Sequence, residues 1–348
     1  MVYGQNVTLN QHAIARQLNV STATVSRSLR NDPSISAVTR ARVIETASRL
    51  GYRSPAPSGG TRRRKRRGLL GVLAPAADGG GQEQVEWHQR QHLVGMCEAA
   101  QRNQTTCAVH FVSADEMQRL HERRHQPAAL AAGDLAGLAL LGNYPRHVLE
   151  ALSRQLPCVT IGVRHRDLRI DSVDAQSTDA IDEVIEHLCS HGHRRIAFLN
   201  GFVRRSWVDD RLSGYFAAMF RRGLAADPAT IIDPGRTEPK PEKQFARLRG
   251  LMRDQGATAV VCANDYAAYN MLAMAGEHGV DVPGELSITG FDAIPPAFGM
   301  TRAVTSVKFP YREMGAAVVR RLFERQRDPA GEIRHIQFRF FFADTETT

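Results

Sequence analysis

The chain of 348 residues carries 45 Lys and Arg against 36 Asp and Glu, a formal net charge of +9, with 43% hydrophobic residues; this suits globular domains and excludes a disordered polyelectrolyte. It has no apolar run of membrane-spanning length, and its first residues lack the basic, apolar, small-residue order of a secretory leader, so a cytoplasmic protein with no membrane partner is expected. Five scattered cysteines without a C-x-x-C argue for reduced, buried thiols rather than a disulfide framework or a zinc ribbon.

The charge is uneven. Residues 1–68 hold thirteen Lys or Arg against only Asp32 and Glu45, a net of +11, whereas the other 280 residues net −2. A basic module on a near-neutral body reads as a polyanion-binding head, and one that displaces counterions from phosphates should bind nucleic acid with steep salt dependence.

Three short helices are predicted in the head. The first runs from about Asn10 to Leu18 with Ala13, Ile14 and Leu18 on one face, and Asn19-Val20 makes the turn. The second begins at Ser21, whose hydroxyl can cap the first turn, and carries Val25 and Leu29 inward. The third starts at Ser36, turns Val43, Ile44, Ala47 and Leu50 inward and stops at Gly51. This is the pattern of a helix-turn-helix, with helix two presenting Thr22, Ala23, Ser26, Arg27 and Arg30 to base edges and phosphates in a major groove. The following run, "SGGTRRRKRRG", places Arg62, Arg63, Arg64, Lys65, Arg66 and Arg67 behind Pro55, Pro57, Gly59 and Gly60, which disfavour a helix; an extended arm tracking phosphates or entering a narrow minor groove is expected.

From Leu69 onward, apolar strands at 68–75, 106–112, 135–142, 157–163, 195–201, 258–265 and 286–293 alternate with helical stretches, the signature of parallel sheets covered on both faces. Ligands collect at the carboxyl ends of such strands, where this chain places Asn143, Gly162, Asn200, Asn264-Asp265 and Asp292. Between them, "HERRH" at 121–125 matches the H-E-x-x-H spelling of a zinc protease helix, but Arg123 and Arg124 oppose a dication, so a solvated helix face is expected. His187, Cys189, His191 and His193 are metal-ligand types, yet His191-Gly192-His193 reads better as a helix C-terminus with Gly192 left-handed. No P-loop, nucleophile elbow or G-x-G-x-x-G occurs, and no metal, cofactor or catalytic residue is expected.

The stretch "VSTATVSRSLRNDPSISAVTRARVIETASRLGYRSP" resembles the DNA-binding headpiece of the LacI/GalR bacterial transcription regulators, and the likeness extends through "VDDRLSGYFAAM", "VCANDYAAYNMLAMAGEHGVDVPGELSITGFDA" and "TSVKFPYREMG". The resemblance implies an all-α helix-turn-helix headpiece (1–54), a basic linker or hinge (55–68) and a periplasmic-binding-protein-like α/β core (69–348) of two doubly wound lobes, about 69–170 with 303–330 and about 171–302 with 331–348. It further implies a homodimeric regulator, a repressor, binding double-stranded operator DNA under the control of a small-molecule effector such as a sugar. Thr22 and Ala23 would read bases, Arg27 a base or phosphate, and Ser21, Thr24, Ser26 and Thr39 would hold the backbone; Thr8 completes the expected DNA set, and Arg30 stands where the family usually has Asn.

Arg211, Asn264, Asp265, Asp292 and Tyr311 would line the effector cleft, with Trp87, His88, Asn143 and Tyr144 as further candidates, and Asp265 could instead cap a helix. Gly162, Ala175 and Ala293 replace polar residues usual in sugar-responsive members, leaving fewer acceptors. The chain also departs at the hinge, where the family carries a short helix whose leucine wedges into the minor groove: its linker holds no leucine before Leu69. An enzyme using the cleft, or a ligand-binding protein without DNA function, is the alternative class. The end "FFADTETT" shows no heptads, which favours a dimer over a coiled-coil tetramer.

Overall fold

In the computed structural model, residues 11–29, 32–50, 52, 68–76, 87–165, 167–200, 206–233, 240–296 and 301–348 are described. Thr8, Arg30 and the basic run Arg62–Arg67 lie outside them.

In chain order the elements are α1 (Gln11–Leu18), α2 (Thr22–Leu29), α3 (Ala37–Arg49), β1 (Leu69–Pro75), α4 (Trp87–Arg102), β2 (Cys107–Val112), α5 (Ala114–Arg119), α6 (Ala128–Ala131), β3 (Leu135–Leu141), α7 (Arg146–Ser153), β4 (Cys158–Ile161) and β5 (Asp171–Ala175). They continue as α8 (Ser177–Ser190), β6 (Ile196–Leu199), α9 (Ser206–Arg221), β7 (Ile231–Ile232), α10 (Pro241–Gln255), β8 (Ala259–Cys262), α11 (Asp265–Glu277), β9 (Ser287–Phe291), β10 (Thr305–Lys308), α12 (Tyr311–Arg327), β11 (His335–Phe338) and β12 (Phe341–Ala343). The chain divides into two compact units, residues 1–174 with 311–336 and residues 175–310 with 337–348.

The first unit holds a sheet in the order β11-β5-β4-β3-β1-β2, in which β2, β1, β3, β4 and β5 run parallel. Its central strands are apolar on both faces because helices cover both; β1 buries Leu70, Val72, Leu73 and Ala74, and β3 buries Leu138 to Leu141. Two glycines let α4 and α12 approach at backbone distance: a Cβ on Gly95 would stand 1.9 Å from the Arg312 carbonyl oxygen, and one on Gly315 would stand 2.2 Å from that of His92. Asp171, at the start of β5, accepts from Arg321 Nε (2.8 Å), from Arg325 Nε (2.9 Å) and Nη2 (3.1 Å), and from the Arg334 amide (2.8 Å). This buried, charge-assisted cluster ties the late-arriving α12 and the start of β11 to a sheet built from the first half of the chain.

The second unit repeats the plan with the order β12-β10-β9-β8-β6-β7, parallel except for the antiparallel β10–β12 pair. Its core joins Ala197, Leu199, Val260, Cys262, Leu286 and Ile288 from the strands to Phe245, Leu248, Leu251, Met271 and Met274 from α10 and α11. In each sheet one strand, β1 or β6, pairs with the strands both after it and next but one. The strand order reverses there, and the crevice at the carboxyl ends beside that reversal is where doubly wound sheets take ligands.

The seven apolar runs are all strands. The "HERRH" segment is not a helix: α5 ends at Arg119, and 123–125 form a single 3₁₀ turn. Gln126, the residue before Pro127, is in extended backbone (φ −78°, ψ 145°), which ends that turn ahead of α6. Glu122 is held instead by Arg124 at 2.5 Å, with His121 and His125 at 3.8 and 3.7 Å, and no cluster of metal-ligating side chains occurs among the described residues. Gly192 does take the left-handed conformation at the end of α8 (φ 91°), and His193 is spent on Thr258 Oγ1 (2.8 Å) and Ser287 Oγ (2.9 Å). Among the described residues no helix is long and apolar enough to cross a membrane.

Candidate DNA-reading head and effector-facing residues

The head is built around five small and branched side chains, Ile14, Ala15, Val25, Val43 and Ala47, each buried, with Leu18, Val20, Leu29, Leu50 and Tyr52 closing over them. Asn19 makes the turn between α1 and α2 in left-handed backbone (φ 51°), a conformation that asparagine tolerates better than most side chains. Ser21 Oγ then accepts from the Thr24 amide (3.0 Å) and meets Thr24 Oγ1 at 2.8 Å. Ser36 repeats the device at α3, accepting from the Thr39 amide (3.1 Å) and donating to Thr39 Oγ1 (2.9 Å). Ser21, Thr24 and Thr39, expected to hold a DNA backbone, therefore also organise the starts of these two helices.

With Val25 and Ser28 inward, α2 leaves Ala23 and Arg27 exposed and Thr22 and Ser26 half-exposed, a short-side-chain face with one flanking guanidinium. Such a face can approach base edges closely, and Arg27 adds charge for base or phosphate. Sequence periodicity missed Arg40. This cation of α3 is 1% exposed, and it donates to the carbonyls of Asp32 (2.8 Å) and Ile35 (2.7 Å) and to Gln101 Oε1 (2.9 Å).

The expected effector residues fall into two sets, one in each unit. In the first unit, Trp87 and His88 open α4 and Tyr311 opens α12. The Trp87 and Tyr311 rings meet edge to face with centroids 6.0 Å apart, and His88 lies 5.7 Å from Tyr311. Behind them His92, which was not singled out from sequence, has a buried ring whose Nδ1 donates to the Tyr311 carbonyl (2.9 Å); burial, helped by His88, pushes its pKa down to about 3, so it is neutral. Asn143 is exposed beyond β3. Tyr144, by contrast, sinks into the core with Leu73, Leu140, Val148 and Leu149, and burial pushes its hydroxyl pKa up. A cavity of about 570 Å³ opens at the opposite, amino ends of β4 and β5, beside Pro157, Cys158 and Asp171. Its Arg325 is committed to Asp171 and to the carbonyls of Pro329, Gly331 and Glu332, so the guanidinium there is structural.

In the second unit, Arg211 from α9, 4% exposed, donates to the Ala263 carbonyl and to Asp292 Oδ1 (3.2 Å), and its guanidinium lies 4.5 Å from the Phe291 ring centroid. Asn264, not Asp265, caps α11: its side chain accepts from the Ala267 amide (2.9 Å). Asp265 instead secures the loop after β9, accepting from the Ile294 amide (2.6 Å) and from Ser306 Oγ (2.7 Å). Burial first, then the neighbouring Asp292 charge, raise the Asp265 pKa far above the usual carboxylate range. Asp292 and Ala293 both take positive φ (104° and 46°), which turns the backbone sharply at the end of β9.

Comparison with known proteins places both parts of the chain. Residues 12–54 match the family model described as bacterial regulatory proteins, lacI family, and residues 185–340 match that of a periplasmic binding protein-like domain. The chain joins a lacI-family DNA-binding domain to a periplasmic-binding-protein-like domain. The transcriptional repressor CytR of Escherichia coli K12 is 28% identical over 312 residues, covering 87% of this chain and 85% of the relative. Two solved structures share the fold: the transcriptional regulator CelR in complex with cellobiose (TM-score 0.68, 21% identity, 98% of this chain and 100% of that one), and the lac repressor dimer bound to operator and the anti-inducer ONPF (TM-score 0.65, 20% identity, 98% and 99%). The chain is thus a DNA-binding transcriptional regulator with an effector-binding core.

Proposed function

We propose that this regulator is a repressor acting as a homodimer on a two-fold-related operator, with one α2 in each half-site. One observation carries the reading: α2, fixed from behind by Val25 and capped by Ser21, turns Thr22, Ala23, Ser26 and Arg27 outward on a unit that also contains a doubly wound sheet. Two-fold pairing follows from the weakness of one short reading helix and the symmetry of paired half-sites. Thr8, Arg30 and the run Arg62–Arg67 add phosphate contacts in this proposal.

The effector is a sugar or sugar derivative taken by groups at the carboxyl ends of the strands. Trp87, His88 and Tyr311 offer ring faces and edges, and Arg211, Asn264, Asp265 and Asp292 offer donors and acceptors for hydroxyls. The complex of the similar CelR with cellobiose supports that class. Such an effector changes operator affinity only by the difference in its affinity for two arrangements of the protein. The test is enrichment of duplexes from random-sequence DNA by the full chain, followed by footprinting with a panel of mono- and disaccharides. A two-fold-related motif with a sugar-dependent Kd is the expected result, and failure to enrich any sequence at moderate salt refutes the reading.

A further inference from the structure

The head does not stand apart from the body in the first unit. α3 packs against both α4 and β2. Its residues divide between two neighbours: Val43 and Ala47 join the head's own core, while Arg40 reaches Gln101 on the last turn of α4 and Ser48 Oγ accepts the Phe111 amide of β2 (3.3 Å). Among the described residues β2 is the last strand of its sheet, so an outward amide such as that of Phe111 meets no neighbouring strand there, and α3 covers this edge. Arg40 gives the stronger sign of a built contact. A guanidinium is costly to bury, and this one sits 1% exposed with three acceptors, two from its own head and the third from the body. Glu45 of α3 points the same way: burial raises its pKa, opposed chiefly by the charge of Arg90 on α4, one of three nearby cations with Arg49 and Arg42.

In this docked position Ala23 and Arg27 of the reading helix are exposed and Thr22 and Ser26 half-exposed, so the body does not cover the DNA face. The linker sequence, meanwhile, offers no leucine wedge to fix the head on DNA. We propose that the α3 dock on α4 and β2, pinned by Arg40–Gln101 and Ser48–Phe111, is the arrangement in which the head is presented to DNA, taking over the orienting role of a hinge helix. The inference rests on the regulator reading above and adds its structural route. α4 begins at Trp87 and His88, among the expected effector residues, and ends beside Gln101, roughly 21 Å away at 1.5 Å per residue. A shift of α4 driven by the rings at its first turn would thus be delivered to α3 without passing through the linker. Holding the head in place removes orientational freedom that binding would otherwise have to remove.

The body side of the dock can be changed without touching the head. With the duplex enriched by the wild-type chain as probe, Gln101→Arg sets a second cation against the buried guanidinium and is expected to raise Kd tenfold or more while leaving the log–log salt slope unchanged, since every phosphate-binding cation is retained. Gln101→Glu keeps an acceptor and should bind within threefold of wild type, which separates a broken dock from a damaged fold. In a second arm, Ser48→Cys with Phe111→Cys is oxidised to cross-link the docked head; the cross-linked protein should bind the duplex at least as tightly as the reduced one. Wild-type affinity in Gln101→Arg, or a tenfold loss on cross-linking that reduction reverses, overturns the inference. A wild-type chain that enriches no DNA refutes the regulator reading instead; the dock is then judged by cross-linking yield in the DNA-free protein, and absence of the cross-link overturns it.

Discussion

His92 makes an acid-sensitive joint between α4 and α12. Its ring is buried against Tyr311, donates to the Tyr311 carbonyl, and has a pKa of about 3 in place of 6.5. The folded state therefore refuses a proton that the unfolded chain accepts. Stability from this group is complete above the unfolded pKa of 6.5 and is lost as pH falls from there toward 3. At about pH 5 the unfolded chain is favoured by some 1.5 pH units of protonation, so the cost is about 2 kcal/mol at 1.36 kcal/mol per unit. His92→Asn keeps a donor near the Nδ1 position and removes the titration. The assay is urea unfolding followed by Trp87 fluorescence in a Trp207→Phe background, for both chains, at about pH 7.5 and about pH 5. Unfolding free energies of wild type and variant should converge by about 2 kcal/mol as the pH is lowered, over and above acid effects shared by both. If the difference between them stays constant within about 0.5 kcal/mol, His92 is not held neutral by burial and the reasoning is wrong.

Gly95→Ala puts a Cβ against the Arg312 carbonyl, so α4 must move off α12; a loss of about 1–3 kcal/mol in first-unit stability is expected, measured by the same denaturation. Asp292→Asn removes the anionic partner of the buried Arg211 while retaining a residue that tolerates the positive φ there. About 3 kcal/mol of second-unit stability should be lost, and a loss under about 1 kcal/mol would show that the pair is not needed. Replacing Arg62–Arg67 by Ala should flatten the log–log salt dependence of operator binding by roughly 0.9 for each phosphate that the run neutralises, up to about twelve phosphates in a dimer; an unchanged slope would reduce the run to a tether.

The long central strands were legible because a strand buried on both faces must be apolar throughout. The later strands were not. β5 begins with Asp171, β10 reads Thr-Ser-Val-Lys, and β11 and β12 are four and three residues long; each is stabilised by partners distant in sequence that no local window contains. The same limit explains the site residues. Arg40 looks like any surface cation of a basic head until Gln101, 61 residues away, is brought beside it. Asp265 has the spacing of a helix cap, but Asn264 takes that position and leaves Asp265 for a loop 29 residues further on. Tyr144 follows a strand end, where a ligand residue is plausible, yet Leu73, Val148 and Leu149 draw its ring into the core.

The charge and the dock on this head do different jobs, and salt separates them. Cations that replace condensed counterions set how steeply affinity falls with ionic strength, whatever the DNA sequence. Arg40 cannot take part in that, because its guanidinium is buried and its hydrogen bonds go to Asp32, Ile35 and Gln101. Its effect on binding must come through the orientation of α2, which shifts affinity at every salt concentration alike. The basic run and the dock therefore predict opposite signatures, one in the slope and the other in the intercept. A regulator whose linker sequence lacks a minor-groove wedge would need both: charge to hold it on the duplex, and a fixed head to make Thr22, Ala23 and Arg27 meet the same base pairs each time.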